Sequence, residues 1–290
     1  MSKIAWVFPG QGSQSVGMEA SLKDLPAAKE KFALAEEILG WSVLQMCQGD
    51  EEKLSRTLYT QPCLYTIESI LVDWMRESGE TPQLVAGHSL GEYVALYAAG
   101  VFDFASGLNL VKRRAELMDT ASGGKMVALI GFDREELAAK VAENADVVIA
   151  NDNSAAQVVI SGVPEAVDEI VSQVKSKRAV PLKVSGAFHS PLMSTAAKEF
   201  QEVLENVDFA EAKVPVLSNV EPTPTVKSGE LKERLVKQMT GSVRWREIML
   251  KLPEQGITKT IEVGPGKVLT GLLKRTCRGM ELVNVSDANG

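Results

Sequence analysis

Apolar positions along this chain recur in two rhythms, every second residue or every third to fourth, and the changes of rhythm mark its elements. Residues 3–8 form a short apolar run suited to a buried strand. The run stops at Pro9-Gly10-Gln11-Gly12 and leads on towards a helix. A loop in that position is a usual place for ligand contacts in an α/β sheet. Residues 27–40 and 61–77 carry helical spacing; in the second, Leu64, Ile67, Ile70, Leu71 and Trp74 share one face. Residues 83–86 predict a strand, residues 93–99 an Ala-rich packed helix, and residues 104–118 a further helix.

Around residues 121–124 the pattern shortens. Strands are predicted at 126–131, 147–150, 157–160 and 179–184, with Asn151 to Ser154 joining the middle two. Helices are predicted after Asp133, which opens a capping-box-like run, and at 164–175, where Pro164 suits a first turn. The order βαββαβ is that of a ferredoxin-like unit. Beyond it come helices at 190–207, 229–238, 244–252 and 267–275, and strands at 215–219 and 258–263, the last ending in Gly264-Pro265-Gly266. The fold class is therefore α/β. A large catalytic domain with a parallel sheet is expected from residues 1–124 and 186–290, and a small inserted ferredoxin-like domain from residues 125–185.

Composition narrows the function classes. The chain has 290 residues, 45% of them hydrophobic and 24% charged, an ordinary soluble balance. No run approaches the roughly 18 apolar residues of a membrane span, and residues 1–9 are too short an apolar run for a signal peptide. The net charge of −7 argues against general nucleic-acid binding. Local basic clusters at 112–114, 175–178 and 274–278 read as solvated faces, with docking of an acidic partner or phosphate as the sharper alternative. The three cysteines, Cys47, Cys63 and Cys277, lie far apart without metal-ligand spacing. They suit buried positions in a reducing compartment, and a cytoplasmic location is expected.

The chemistry concentrates at Gly87-His88-Ser89-Leu90-Gly91, a G-x-S-x-G between the strand at 83–86 and the helix at 93–99. Glycines at both ends let strand and helix approach while Ser89 is held in a sharp turn, the arrangement of a nucleophile elbow. The N–H of Leu90, at the helix start, would face the oxyanion of an acyl-transfer intermediate. A serine hydroxyl needs a base, and the chain has two histidines. His88 adjoins Ser89, and neighbouring side chains in such a turn point apart, so His88 reads as structural. His189, between the small domain and a helix, is the candidate base. No acid stands out as a third member.

Taken together, Phe8-Pro9-Gly10-Gln11-Gly12-Ser13-Gln14, Gly87-His88-Ser89-Leu90-Gly91-Glu92, Arg114, Ala187-Phe188-His189 and Glu262 to Leu269 resemble the bacterial malonyl-CoA:acyl-carrier-protein transacylases of the acyltransferase superfamily. The resemblance runs in order from residue 3 to about residue 275. It implies ping-pong transfer of a malonyl group through a Ser89 ester to the phosphopantetheine thiol of holo acyl carrier protein, for fatty acid biosynthesis. It implies His189 as base and then acid, steadied by the backbone carbonyl of Gln238. The N–H groups of Gln11 and Leu90 would form the oxyanion site. Arg114 would bind the malonyl carboxylate, although a slip of one residue would give that part to Arg113. Phe188 would leave little room for a branched acyl group. The resemblance implies no metal and no cofactor beyond the CoA thioester as substrate; a monomer without membrane or nucleic-acid partners is expected. Rival readings are a discrete acyltransferase serving a polyketide synthase, an acyl-thioester hydrolase, and an inactive carrier-binding scaffold.

Overall fold

Parallel strands covered on both faces need apolar residues at successive positions, and the central strands of the larger sheet meet that demand. In the computed structural model, residues 3–121 and 123–288 are described; Met1 and Ser2 of the first apolar run, and Ser122 of the expected Gly/Ser linker, lie outside them. The sheet contains β1 (Lys3–Phe8), β2 (Leu84–Gly87), β7 (Val216–Leu217), β8 (Ile257–Val263) and β9 (Glu281–Val285), in the order β7-β2-β1-β8-β9. All pairings are parallel. Alternate side chains enter different cores. Trp6, Phe8, Val85, Ile261 and Val263 pack with α4 (Thr57–Glu77), α5 (Gly91–Ala98) and α6 (Phe104–Thr120). Ala5, Val7, Leu84 and Ala86 pack on the other face with α11 (Trp245–Glu254) and α12 (Val268–Thr276). The period of two alone produces this division.

The second sheet is antiparallel, in the order β4-β5-β3-β6, built from β3 (Lys125–Phe132), β4 (Val147–Ser154), β5 (Gln157–Gly162) and β6 (Ser176–Pro181). That order is the one a ferredoxin-like unit requires. Val127, Leu129, Val158 and Ile160 face its helices α7 (Arg134–Ala142) and α8 (Pro164–Gln173). Met126, Ala128 and Val159 point the other way, into the larger core. Asp133 caps α7 by accepting from the N–H groups of Glu135 and Glu136. An isolated parallel bridge between Asn151 and Val243 joins the two units. Asp152 accepts from Arg134 and from Arg246 of α11 at the same join.

The expected elements are present with instructive shifts. Residues 151–154, expected as a connection, extend β4, whose register is broken there by irregularities that let it turn towards the larger unit. The strand expected at 179–184 is β6, three residues earlier. The helix expected at 190–207 opens as a 3-10 turn, Pro191–Met193, before α9 (Ser194–Glu205), because Ser190 accepts from Leu192 N–H and Pro191 supplies no N–H. Two short helices, α2 (Val43–Gln48) and α3 (Glu51–Leu54), and strand β9 had no counterpart in the pattern. The three cysteines are buried and unpaired.

The tightest packing lies where β1 and β2 deliver their ends to α5. A Cβ on Gly87 would sit 1.9 Å from the backbone carbon of Gly91, and one on Gly91 would sit 2.1 Å from the carbonyl oxygen of Phe8. Neither neighbour is a movable side chain. Gly91→Ala should therefore destabilise the fold by about 3 kcal/mol, near the upper end for overpacking. Urea unfolding measures this; a loss below about 1 kcal/mol would show that the backbone there yields.

Candidate active site

Ser89 takes φ 52°, in the left-handed region where a residue with a Cβ is strained. The turn is held on both sides. Asn219 accepts from Ser89 N–H at 2.7 Å and donates to the Gly87 carbonyl at 2.6 Å. His88 N–H donates to the Phe8 carbonyl at 2.9 Å. The His88 and Ser89 side chains do point apart. His88 Nε2 meets Asn153 Oδ1 of β4 at 2.8 Å, so this histidine is spent on joining the elbow to the smaller sheet. Burial, opposed by the Asn153 hydrogen bond, lowers its pKa.

Ser89 Oγ lies 2.8 Å from His189 Nε2. His189 Nδ1 lies 2.9 Å from the backbone carbonyl of Gln238, at the end of α10 (Ser228–Gln238). A carbonyl only accepts, so the imidazole proton sits on Nδ1 and the Nε2 lone pair faces the serine hydroxyl. His189 also has positive φ, 56°. Burial pushes its pKa down to about 3, helped by the nearby Arg114 guanidinium and opposed by the Gln238 carbonyl. The missing triad acid thus has a physical replacement: the backbone orients the ring without a second charge.

Arg114 is 1% exposed. Its Nη2 donates to Ser89 Oγ and to Gln238 Oε1, both at 3.1 Å, and its Nη1 donates to Gln61 Oε1 at 2.6 Å. The guanidinium carbon stands 5.3 Å from the Tyr93 ring centroid. Burial lowers the Arg114 pKa, opposed by Tyr93 and Glu92, but arginine remains a cation. The basic run at 112–114 is divided by its helix. Lys112 binds the Ile38 carbonyl, and Arg113 pairs with Glu116 and Glu199 on an exposed face. Only Arg114 enters the site, which separates the two neighbouring arginines.

Around these groups is a cavity of about 230 Å³ between the two sheets. Gln11, Ser89, Leu90, Arg114, Phe188 and His189 line one side; Met126, Ala128, Asn151, Asn153 and Val159 line the other. Among the described residues, neither Gln11 N–H nor Leu90 N–H has a hydrogen-bond partner. Sequence reasoning missed the supporting polar layer. Glu92 Oε2 accepts from Gln238 Nε2 at 2.7 Å and from Asn219 N–H at 3.1 Å, and Gln238 Nε2 also reaches the Ser89 carbonyl at 2.9 Å. Burial raises the Glu92 pKa against these hydrogen bonds and Arg114. Glu92 follows directly on the elbow motif; Gln61 and Asn219 carry no signal in the sequence beyond being polar in apolar surroundings. Among the described residues no group of three or more His, Cys, Asp or Glu is placed to hold a metal ion.

An elbow serine, an imidazole with a free lone pair and unpaired N–H groups at one cavity define a protein equipped for acyl transfer through serine. The chain belongs to the acyl transferase domain family, which matches residues 5–289. Within the family it lies among malonyl-CoA:acyl-carrier-protein transacylases. It is 60% identical to the malonyl CoA-acyl carrier protein transacylase of Synechocystis over 98% of this chain and 97% of that protein. The crystal structure of the Synechocystis malonyl-CoA:ACP transacylase superposes with TM-score 0.97, at 59% identity over 98% of this chain and 97% of the other. A malonyl-transacylase solved with a type II polyketide acyl carrier protein gives TM-score 0.93 at 40% identity, over 99% of this chain and 96% of that one.

The His189 shift carries a pH prediction. Between pH 6.5 and about 3 the unfolded chain binds a proton at this residue and the folded chain does not, so this residue's contribution makes stability rise with pH across that window. NMR should find the His189 ring neutral at pH 5, with folding stability falling as acid is added below 6.5. An imidazolium signal at pH 5 would contradict the burial argument.

Proposed function

We propose that this chain transfers a malonyl group from malonyl-CoA to the phosphopantetheine thiol of acyl carrier protein, supplying fatty acid biosynthesis. One observation carries the reading: a buried guanidinium nitrogen lies 3.1 Å from the hydroxyl at the elbow. A malonyl thioester has its carboxylate one methylene from the reacting carbonyl. A fixed cation beside the nucleophile therefore favours that acyl group over an uncharged one. The Phe188 ring at the cavity wall favours an unbranched methylene. Relatives bearing the malonyl transacylase name support the substrate. The higher identity to one named without a polyketide role supports fatty acid over polyketide supply.

In the first half-reaction His189 Nε2 takes the Ser89 proton as Oγ attacks the thioester carbon. The carbonyl oxygen becomes an oxyanion facing the N–H groups of Gln11 and Leu90. Collapse breaks the C–S bond, and CoA leaves as a thiol carrying the proton from His189. In the second, His189 takes the carrier thiol proton, sulfur attacks the ester carbon, and the C–O bond breaks as His189 returns that proton to Ser89 Oγ. Gln238 holds the imidazole through its carbonyl throughout. Bonds and protons balance without redox change, so the reading includes no cofactor beyond the CoA thioester. In this reading the chain acts as a monomer in the cytoplasm; among the described residues no helix is long and apolar enough to cross a membrane.

Intact-protein mass after mixing with malonyl-CoA, then with holo acyl carrier protein, tests the pathway. A malonyl adduct that moves to the carrier is expected; an adduct lost equally fast without carrier indicates a hydrolase, and no adduct a scaffold. Ser89→Ala should lower transfer by at least about a thousandfold with the fold intact. Measurable adduct on that variant would remove Ser89 from the mechanism. Arg114→Ala should cost about 2 kcal/mol of preference for malonyl over acetyl thioesters, read as the ratio of kcat/KM values. An unchanged ratio would mean another group binds the carboxylate.

A further inference from the structure

A chain of hydrogen bonds runs from the buried guanidinium to the loop on the far side of the nucleophile. Arg114 Nη1 donates to Gln61 Oε1 at 2.6 Å, Gln61 Nε2 donates to Thr57 Oγ1 at 2.8 Å, and Thr57 Oγ1 donates to Gln11 Oε1 at 2.8 Å. Gln61 and Thr57 lie four residues apart on one face of α4, the spacing that lets such side chains meet. Every donor in the chain points away from the cation, so each bond polarises the next in the same sense. Thr57 is 3% exposed and faces a groove beside the cavity rather than the cavity holding Ser89.

The far end of this chain lies in the glycine-bracketed loop after β1, where the Gly10 carbonyl accepts from Ser13 Oγ at 2.8 Å and Ser13 N–H at 3.2 Å. Gln11 sits between two glycines. Gly10 is pressed so close to the elbow that a Cβ there would lie 2.4 Å from the His88 carbonyl oxygen, and Gly12 takes φ 105°. The direction of Gln11 N–H depends on the peptide joining Gly10 to Gln11, which Ser13 holds at its carbonyl while the glycines on either side add no side-chain restraint. The hydrogen bond from Thr57 to the Gln11 side chain is a second anchor, on the other side of the peptide from Ser13 and outside the cavity.

We propose that Thr57 and Gln61 are positioning residues that tie the Gln11 oxyanion donor to the guanidinium reading the substrate carboxylate. One hydrogen-bonded chain then sets both the recognition of the acyl group and the stabilisation of its oxyanion. The proposal rests on the oxyanion and carboxylate roles given above.

Thr57→Val, Thr57→Ser, Arg114→Ala and the double variant Thr57→Val/Arg114→Ala test it, with thermal melting as the fold control. Two rates are read: malonylation by malonyl-CoA, and labelling of Ser89 by an uncharged alkyl fluorophosphonate. In the second, Oγ bonds to phosphorus, fluoride leaves, and His189 takes the proton. Thr57→Val should slow both roughly tenfold, less than the loss of a whole oxyanion donor. The malonyl-CoA concentration for half-saturation should stay within about twofold, since the defect lies in the transition state. Thr57→Ser should restore both rates, and Thr57→Val should cost little in the Arg114→Ala background. Labelling of Thr57→Val at the parent rate would overturn the proposal, as would a tenfold loss persisting undiminished without Arg114. A parent chain that labels with the phosphonate yet never accepts malonyl would sink the proposed substrate, while the phosphonate rates still judge the relay.

Discussion

A guanidinium taken almost wholly out of water sets the terms for its surroundings. Removing a charge from water costs several kcal/mol even after relaxation, so Arg114 persists only because the fold surrounds it with acceptors and a ring face. Gln61, Gln238 and the Ser89 hydroxyl accept from it, and Tyr93 lies beneath it. The nearest acid, Glu92, is kept one residue away, behind the Gln238 side chain that it holds. The positive charge is therefore screened without being neutralised. That leaves it available to an anionic group entering the cavity, and it also depresses the basicity of His189.

The same economy of charge explains the histidine. A carboxylate behind His189 would bring an anion into the site that holds the Arg114 cation. A backbone carbonyl orients the ring and supplies no competing anion. Glu92, Gln238 and Asn219 instead brace the elbow from behind, with Asn219 touching both Ser89 N–H and the Gly87 carbonyl. The strained serine is held by side chains that bind its backbone and make no hydrogen bond to its hydroxyl.

The two sheets divide the labour. The parallel sheet delivers loop ends beside β1, where successive connections run to opposite sides, the usual place for ligands in such sheets. The antiparallel sheet contributes a wall, because its period of two turns Met126, Ala128 and Val159 towards the cavity while Val127, Leu129 and Val158 face its own helices. His88, bound to Asn153, and the bridge at Val243 fix the distance between the walls.

The elbow, the parallel sheet and the smaller unit were legible in the sequence because each leaves a local trace. Paired glycines bracket a serine, buried strands read as apolar runs, and Asp133 and Pro164 mark helix starts. His189 was found by elimination, since the chain has only two histidines. Arg114 was separable from Arg113 only through family resemblance, because helical periodicity does not say which arginine a cavity receives. β6 and β9 were misplaced or missed because they lie at sheet edges, where backbone pairing with β3 and β8 decides the strand and side-chain pattern is weak. Gln61, Thr57, Asn219 and Glu92 were invisible as a set: each is an ordinary polar residue until folding brings it to the others. Sequence by itself determined most of the elements and the elbow that carries Ser89, since sterics and periodicity act between near neighbours. Only the tertiary structure decided what surrounds the buried charge, because desolvation and hydrogen-bond partnership depend on residues far apart in the chain.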